Sequence, residues 1–270
     1  MANADQPLAG KRVVITRAPE QSQELAQALE HLGAEVFSLP MVSFAPPDDC
    51  QALDEQLRRL DLFDAILFLS KNAVRYIFDR CAQLGIKCEM LQTSNRLIAA
   101  VGQSTARALE EKGLHVSYVA KKGTGEALAR ELGESLGGRR VLLPRSDGGD
   151  ERISKELRAA SADVTEVIAY RTIPAKNLDA GILARIRRAD VDAVIFASPS
   201  AFQNFHSAIG GTEVAELSFR IDFVAIGPTT ARSLRESSAR VAAQAEEASA
   251  PGLAAAIVRH YEHHSAARRA

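Results

Sequence analysis

Four stretches of the chain place hydroxyl groups where an apolar run gives way to a helix-like segment. "FDAILFLSKNAV", Phe63 to Val74, carries Ser70 and Asn72, and "VDAVIFASPSAF", Val191 to Phe202, carries Ser198 and Ser200. "AAVGQSTARALEEKG", Ala99 to Gly113, carries Ser104 and Thr105 behind Gly102, and "VAIGPTTARSL", Val224 to Leu234, carries Thr229 and Thr230 behind Gly227. Arg17 and Arg145 end the runs "VVITR" and "VLLPR". A Ser or Thr at such a junction caps a helix, which is worth about 1 kcal/mol and explains any one of them. Capping explains the whole set less well. Helix starts expose backbone N–H groups and partial positive charge, so they bind carboxylates and phosphates without a cationic protein. Several polar helix starts with two arginines predict a strongly anionic ligand, held between two lobes.

The elements that position these groups come from a repeat. Asp64 and Asp192 lie 128 positions apart, and the same offset superposes "GKRVVITR" (Gly10 to Arg17) on "GRRVLLPR" (Gly138 to Arg145). It also superposes "AEVFSLPMVSFAP" (Ala34 to Pro46) on "ADVTEVIAYRTIP" (Ala162 to Pro174). After a three-residue slip, Ala100 to Val116 falls on Ala225 to Val241. Such agreement points to internal duplication.

Each copy reads as strands alternating with helices. "AILFLS" is apolar without alternation, as in a strand buried on both faces of a parallel sheet. Leu25, Leu29 and Leu32 recur at helical spacing, and Gly85 and Gly113 stop helices. The reading is α/β, with two parallel sheets from the duplication. The matched segments 40–46 and 168–174 look extended and end in Pro, so they could pair as a two-stranded connector. The pattern leaves open whether each copy folds alone or exchanges its first βαβ segment.

Tyr170 stands apart, because its repeat counterpart is Val42 and the duplication does not require a phenol there. It is either a ring packed over the connector or a proton or hydrogen-bond donor.

Composition narrows the partners. Net charge is −1, so no bulk field exists to hold nucleic acid. No apolar run approaches a membrane span. The start "MANADQPLAGKR" lacks the apolar core of a secretory leader, and Cys50, Cys81 and Cys88 form no CxxC, which suits a reduced cytoplasmic protein. "GTGEAL" has Leu128 where a dinucleotide fingerprint needs its third Gly. His260, His263 and His264 have metal-compatible spacing, but read better as a fraying terminal helix turn. No cofactor or metal is expected.

The motifs quoted above, together with "VLLPRSDGGDE", "VIAYRTIP" and the late "EASAPGLAAAI", resemble the uroporphyrinogen-III synthases over nearly the whole chain. The resemblance implies two flavodoxin-like lobes joined by a two-stranded β-ladder. Residues 1–39 with 175–270 would form one lobe, 47–167 the other, and 40–46 with 168–174 the ladder. It implies a cofactor-free cyclising lyase of porphyrin biosynthesis, acting on hydroxymethylbilane with inversion of ring D. Tyr170 would assist departure of the hydroxyl. Arg17, Ser70, Asn72, Ser104, Thr105, Arg145, Ser198, Ser200, Thr229 and Thr230 would bind substrate, although the arginines could instead bridge the lobes. It implies a monomer and allows transient contact with hydroxymethylbilane synthase. A two-lobed cytosolic ligand-binding or regulatory module without catalysis is the alternative.

Overall fold

The computed structural model describes residues 6–93, 95–149 and 151–267, the side chains of 264–267 excepted. The first residues of the leader reading and the His264 side chain therefore lie outside the described residues. In chain order the elements are β1 (Arg12–Ile15), α1 (Pro19–His31), β2 (Glu35–Ser38), β3 (Val42–Ala45), α2 (Gln51–Leu57), β4 (Ala65–Phe68), α3 (Lys71–Gln83), β5 (Leu97–Ala100) and α4 (Gln103–Glu110). There follow β6 (Tyr118–Val119), α5 (Gly125–Leu136), β7 (Arg140–Ser146), α6 (Arg152–Ala159), β8 (Asp163–Pro174), α7 (Ala180–Arg187) and β9 (Ala193–Phe196). The last are α8 (Pro199–Ile209), α9 (Gly211–Leu217), β10 (Asp222–Ala225), α10 (Pro228–Glu236), β11 (Ala243–Gln244) and α11 (Ala250–Ala267).

The chain divides into two compact units. Met1–Ser43 with Ile173–Ala270 make the first, and Phe44–Thr172 the second. The first holds a sheet of order β11-β10-β9-β1-β2. The other sheet has the order β3-β8-β7-β4-β5-β6. β1 pairs in parallel with β9, and β7 in parallel with β4, so each sheet joins strands distant in sequence.

The repeated Asp explains how those distant strands find register. Asp64 Oδ2 accepts the backbone N–H of Arg140 at 2.8 Å, and Asp192 Oδ2 accepts that of Arg12 at 2.8 Å. The backbone answers in both places: Asp64 N–H donates to Arg140 O and Asp192 N–H to Arg12 O, each at 2.8 Å. One Asp ahead of each central strand thus clamps the start of its parallel neighbour. A slip of one residue would lose the carboxylate bond and turn every side chain to the other face.

The central strands β4 and β9 are buried at every residue. In the second unit Ile66, Phe68, Ile98, Ala100 and Leu142 enter one core, while Ala65, Leu67, Ala99, Val141 and Leu143 enter the core on the opposite face. In the first unit Val13, Ile15, Ala193, Ile195 and Val224 pack with α1 and α11. Phe196 meets Phe202, Phe205 and Phe223 edge-on at 5.1–5.3 Å. Gly85 and Gly113 end their helices at φ +69° and +84°, the left-handed exit that favours glycine.

The segment 168–174 is the last part of β8, which runs from Asp163 to Pro174 and neighbours β3 in the sheet. One expectation changes. His260 does not sit in a fraying turn: it is buried on α11, with Nε2 3.1 Å from Asp222 Oδ2. Among the described residues no helix is long and apolar enough to cross a membrane, and no group of three or more His, Cys, Asp and Glu side chains could hold a metal ion.

Candidate active site

Parallel sheets of this order bind ligands beyond the carboxyl ends of their strands, where the strand order reverses. In the first unit that point lies between β1 and β9, and in the second between β7 and β4. Beyond β1 come Thr16 and Arg17, and beyond β9 comes Ser198. Beyond β4 comes Ser70. Arg145 lies near the end of β7, at a bulge in its ladder with β8.

Ser70 and Ser198 are matched helix caps. Ser70 adopts φ −163°, ψ 157° and accepts the Ala73 N–H at 3.0 Å; Ser198 adopts φ −162°, ψ 157° and accepts the Ala201 N–H at 3.1 Å. Their surroundings differ. Ser70 Oγ also lies 3.0 Å from Tyr170 Oη, a bond in which either hydroxyl can donate. The Tyr170 ring stacks on Tyr76 at 5.6 Å and takes the edge of Phe44 at 5.7 Å, leaving it 8% exposed. At the positions 128 away from Tyr170 and Tyr76 the first unit has Val42 and Asn204, and Asn204 Nδ2 donates to Met41 O instead.

The helix starts of α4 and α10 carry no side-chain cap bond. Gly102 and Gly227 occupy the cap positions in extended backbone, at φ −173° and −179°, which any residue adopts. A Cβ on Gly227 would meet nothing within 4 Å, and one on Gly102 only the Gly123 Cα at 3.7 Å. Neither backbone nor packing demands glycine there. In α4 the Thr105 N–H already donates to Gly102 O at 3.1 Å, and in α10 Pro228 has no N–H, so the Gln103, Ser104, Thr229 and Thr230 N–H groups are those left to an anion among the described residues. Ser104 and Thr229 are exposed, whereas Thr105 and Thr230 turn inward, each 2% exposed. Ser200 is exposed on α8, and Asn72 is buried on α3 with Nδ2 unpartnered.

The two arginines part company. Arg145 Nε sits 2.7 Å from Glu166 Oε2, and its Nη1 donates to the carbonyls of Ser146 and Gly149 at 3.2 and 3.4 Å. Burial pushes the Glu166 carboxyl up, but a hydrogen bond from Ser154 and the charges of Arg145 and Arg158 together outweigh it and hold it below its ordinary value. Arg17 has no ion pair among the described residues; its Nε, like that of Arg145, is buried without a hydrogen bond, and burial pulls the guanidinium down from its ordinary value against the attraction of Glu24. Thr16 beside it serves the sheet, its hydroxyl donating to Ile195 O at 2.7 Å.

Glu166, Tyr76, Phe44, Gly102 and Gly227 were not among the candidates. The repeat contained a signal for Glu166, because its counterpart is Ser38 and the two arginines therefore face different neighbours.

The family model for uroporphyrinogen-III synthase HemD matches residues 23–255. A uroporphyrinogen-III synthase of Synechococcus elongatus is 32% identical over 258 residues, covering 94% of this chain and 97% of that protein. The Escherichia coli uroporphyrinogen-III synthase is 28% identical over 200 residues, covering 73% and 79%. Among solved structures, a mutant uroporphyrinogen III synthase of Thermus thermophilus superposes with TM-score 0.60 at 20% identity, covering 94% of this chain and all of that one. The uroporphyrinogen-III synthetase of Helicobacter pylori gives TM-score 0.60 at 19% identity, covering 90% and 96%. The structures speak for the α/β fold, and the sequence matches for membership: the chain belongs to the uroporphyrinogen-III synthase family.

Proposed function

We propose that the protein is a uroporphyrinogen-III synthase that converts hydroxymethylbilane to uroporphyrinogen III and water, with Tyr170 delivering the proton to the departing hydroxyl. Family membership supports the activity. The observation that carries the mechanism is the Tyr170 hydroxyl held 3.0 Å from Ser70 at a helix start beyond β4.

The chemistry asks little of an acid and much of geometry. Tyr170 gives its proton to the terminal hydroxyl, the C–O bond breaks, and water leaves. The pyrrole nitrogen lone pair supplies the electrons, producing an azafulvenium ion and a phenolate. Ring D then attacks through its substituted carbon to give a spiro intermediate. Rearrangement inverts the ring, and the proton released as the pyrrole regains aromaticity restores the phenol. Because the cation would also close without inversion, holding the chain in the spiro geometry decides the product.

The acetate and propionate groups supply the anions to hold. The uncapped starts of α4 and α10, with Ser104, Thr105, Thr229 and Thr230, suit carboxylates. So do Asn72, Ser198 and Ser200. Arg17, which makes no ion pair among the described residues, suits a carboxylate as well, while Arg145 steadies the Ser146–Gly149 turn through its bonds to those two carbonyls and its pairing with Glu166.

The architecture is read as an internal duplication with exchanged first segments, giving two flavodoxin-like lobes joined by β3 and the end of β8. The shared sheet order, the matched Asp clamps and the matched Ser caps support it. The enzyme is proposed to act as a cytoplasmic monomer that meets hydroxymethylbilane synthase at most transiently. The test is to supply hydroxymethylbilane and resolve the cyclic isomers: uroporphyrinogen III is the expected product, and only the spontaneous type I isomer would overturn the reading.

A further inference from the structure

We propose that Ser70 is a positioning residue for Tyr170, donating its hydroxyl proton to the phenol oxygen so that the phenol's own proton faces the leaving hydroxyl. The inference rests on Tyr170 being the proton donor and assigns to Ser70 a role other than touching substrate.

Three observations lead to it. Ser70 Oγ has one proton and two lone pairs, and the Ala73 N–H uses one lone pair at 3.0 Å. Tyr170 Oη lies 3.0 Å away on the other side. If the phenol donated inward, its proton would be engaged inside the protein and the Ser70 proton would need a further acceptor. If Ser70 donates outward, an ordered chain forms: Ala73 N–H to Ser70, Ser70 O–H to Tyr170, Tyr170 O–H to the ligand. Each bond polarises the next, and the chain begins at the partial positive charge of the α3 N-terminus.

The second observation concerns what stabilises the phenolate formed when the proton leaves. Among the described residues no carboxylate, imidazole or cationic side chain is hydrogen-bonded to Tyr170, and Ser70 is its bonded neighbour. A hydroxyl already polarised by a backbone N–H strengthens its bond to an oxyanion as charge develops. Stacking on Tyr76 and the edge of Phe44 fix the ring plane, so the phenol oxygen stays within reach of Ser70.

The third is the comparison with Ser198. It caps α8 with the same torsions and the same bond, but Val42 stands at the position equivalent to Tyr170. Capping therefore accounts for a serine at both places, and the bond to a phenol is an addition found at Ser70.

The experiment compares wild type, Ser70→Ala, Tyr170→Phe and the double variant with hydroxymethylbilane, alongside Ser70→Thr, Ser70→Asp and Asp179→Ala. Tyr170→Phe should lower kcat about 100-fold, the low end for general acid catalysis. Ser70→Ala should lower kcat about tenfold with KM little changed, and the double variant should match Tyr170→Phe because the serine acts only through the phenol. Ser70→Thr, which caps and donates, should restore the rate. Ser70→Asp caps as well as serine but only accepts, so its kcat should fall like that of the Ala variant even if Ser70→Ala does not fold. Asp179 caps α7, accepting the Ile182 N–H at 3.0 Å; Asp179→Ala should lose comparable thermal stability and keep its kcat. Losses that multiply in the double variant, a Ser70→Ala effect confined to KM, or a full rate in Ser70→Asp would overturn the assignment. A full rate in Tyr170→Phe would instead remove the proton-donor reading on which it stands.

Discussion

In the first unit Arg17 ends its strand with no ion pair among the described residues; in the second its counterpart Arg145 is paired with Glu166 and tied to two carbonyls. In the second unit a serine cap meets a phenol; in the first the matching cap has a valine at the equivalent place. Yet five strands of each sheet follow the same order, β3 being an added edge strand in the sheet of six, and the Asp clamps and the cap torsions agree. The features that agree hold strands in register. Those that differ are side chains at the carboxyl edges, where a ligand would sit. The first unit thus carries an arginine with no ion pair among the described residues, and the second a phenol bonded to a serine cap.

The largest effect should come from removing the proton donor. Tyr170→Phe should cut kcat about 100-fold, whereas Val42→Ile should leave it near wild type, Val42 being a packed residue 6% exposed. Residual product from the Phe variant, corrected for spontaneous closure, should remain the type III isomer. Enzyme-bound type I would mean that the phenol shapes the spiro geometry instead, and equal effects at both positions would break the contrast between the units.

The arginines should separate next, and in opposite directions on stability. Arg17→Gln should raise KM about tenfold, as for loss of one hydrogen bond to a charged group. It should not lower the melting temperature, because the Arg17 Nε is buried without a hydrogen bond and no ion pair of the described residues is lost with it. Arg145→Gln should leave KM within about twofold and lower the melting temperature by a few degrees, since it removes one of the two arginines paired with Glu166 and leaves Arg158 alone with it. A KM effect larger at Arg145 than at Arg17 would reverse the assignment.

What could be read from the chain and what could not follows the range of the interactions. Alternating strands and helices, the Ser70 and Ser198 caps and the exits at Gly85 and Gly113 depend on neighbours a few residues away, and local pattern exposes them. The pairing of β1 with β9 and the Ser70–Tyr170 bond join residues roughly a hundred or more positions apart, and nothing local encodes those choices. Tyr170 drew notice only because the repeat broke there. Arg145 looked equivalent to Arg17 because the carboxylate that separates them sits on the next strand, at Glu166.

The glycine caps should show a smaller effect, and the same one in both units. Gly227→Ala and Gly102→Ala put a methyl where backbone and neighbours leave room, so stability should hold or rise by about 0.5 kcal/mol through the unfolded chain. If ligand carboxylates approach these helix starts, the methyl should raise KM about threefold to tenfold without a matching loss of kcat. Stable variants with unchanged KM would place the anion sites elsewhere; an effect at one glycine alone would extend the asymmetry from side chains to backbone donors.

The smallest effect is a pH dependence belonging to the second unit. Glu166 has its carboxyl lowered in the folded state: burial acts against this, and a hydrogen bond from Ser154 with the charges of Arg145 and Arg158 overrides it. A carboxyl lowered on folding adds stability that is present above its unfolded value and lost as pH falls through the folded one. Glu166→Gln removes that contribution at every pH. The gap in melting temperature between wild type and Glu166→Gln should therefore be widest near neutral pH, where about 1 kcal/mol is a fair magnitude for a pair partly open to solvent. It should begin to close as pH falls through the ordinary carboxylate value, where the unfolded chain takes up the proton, and should be gone once the folded group is protonated too. Ser38, at the equivalent place in the first unit, has nothing to titrate, so Ser38→Ala should give a pH-independent difference. Thermal unfolding followed from neutral pH down to about pH 3 checks both. A Glu166→Gln gap that stays constant with pH would mean that the ion pair stabilises nothing, and Arg145 would then be as free to take a carboxylate as Arg17.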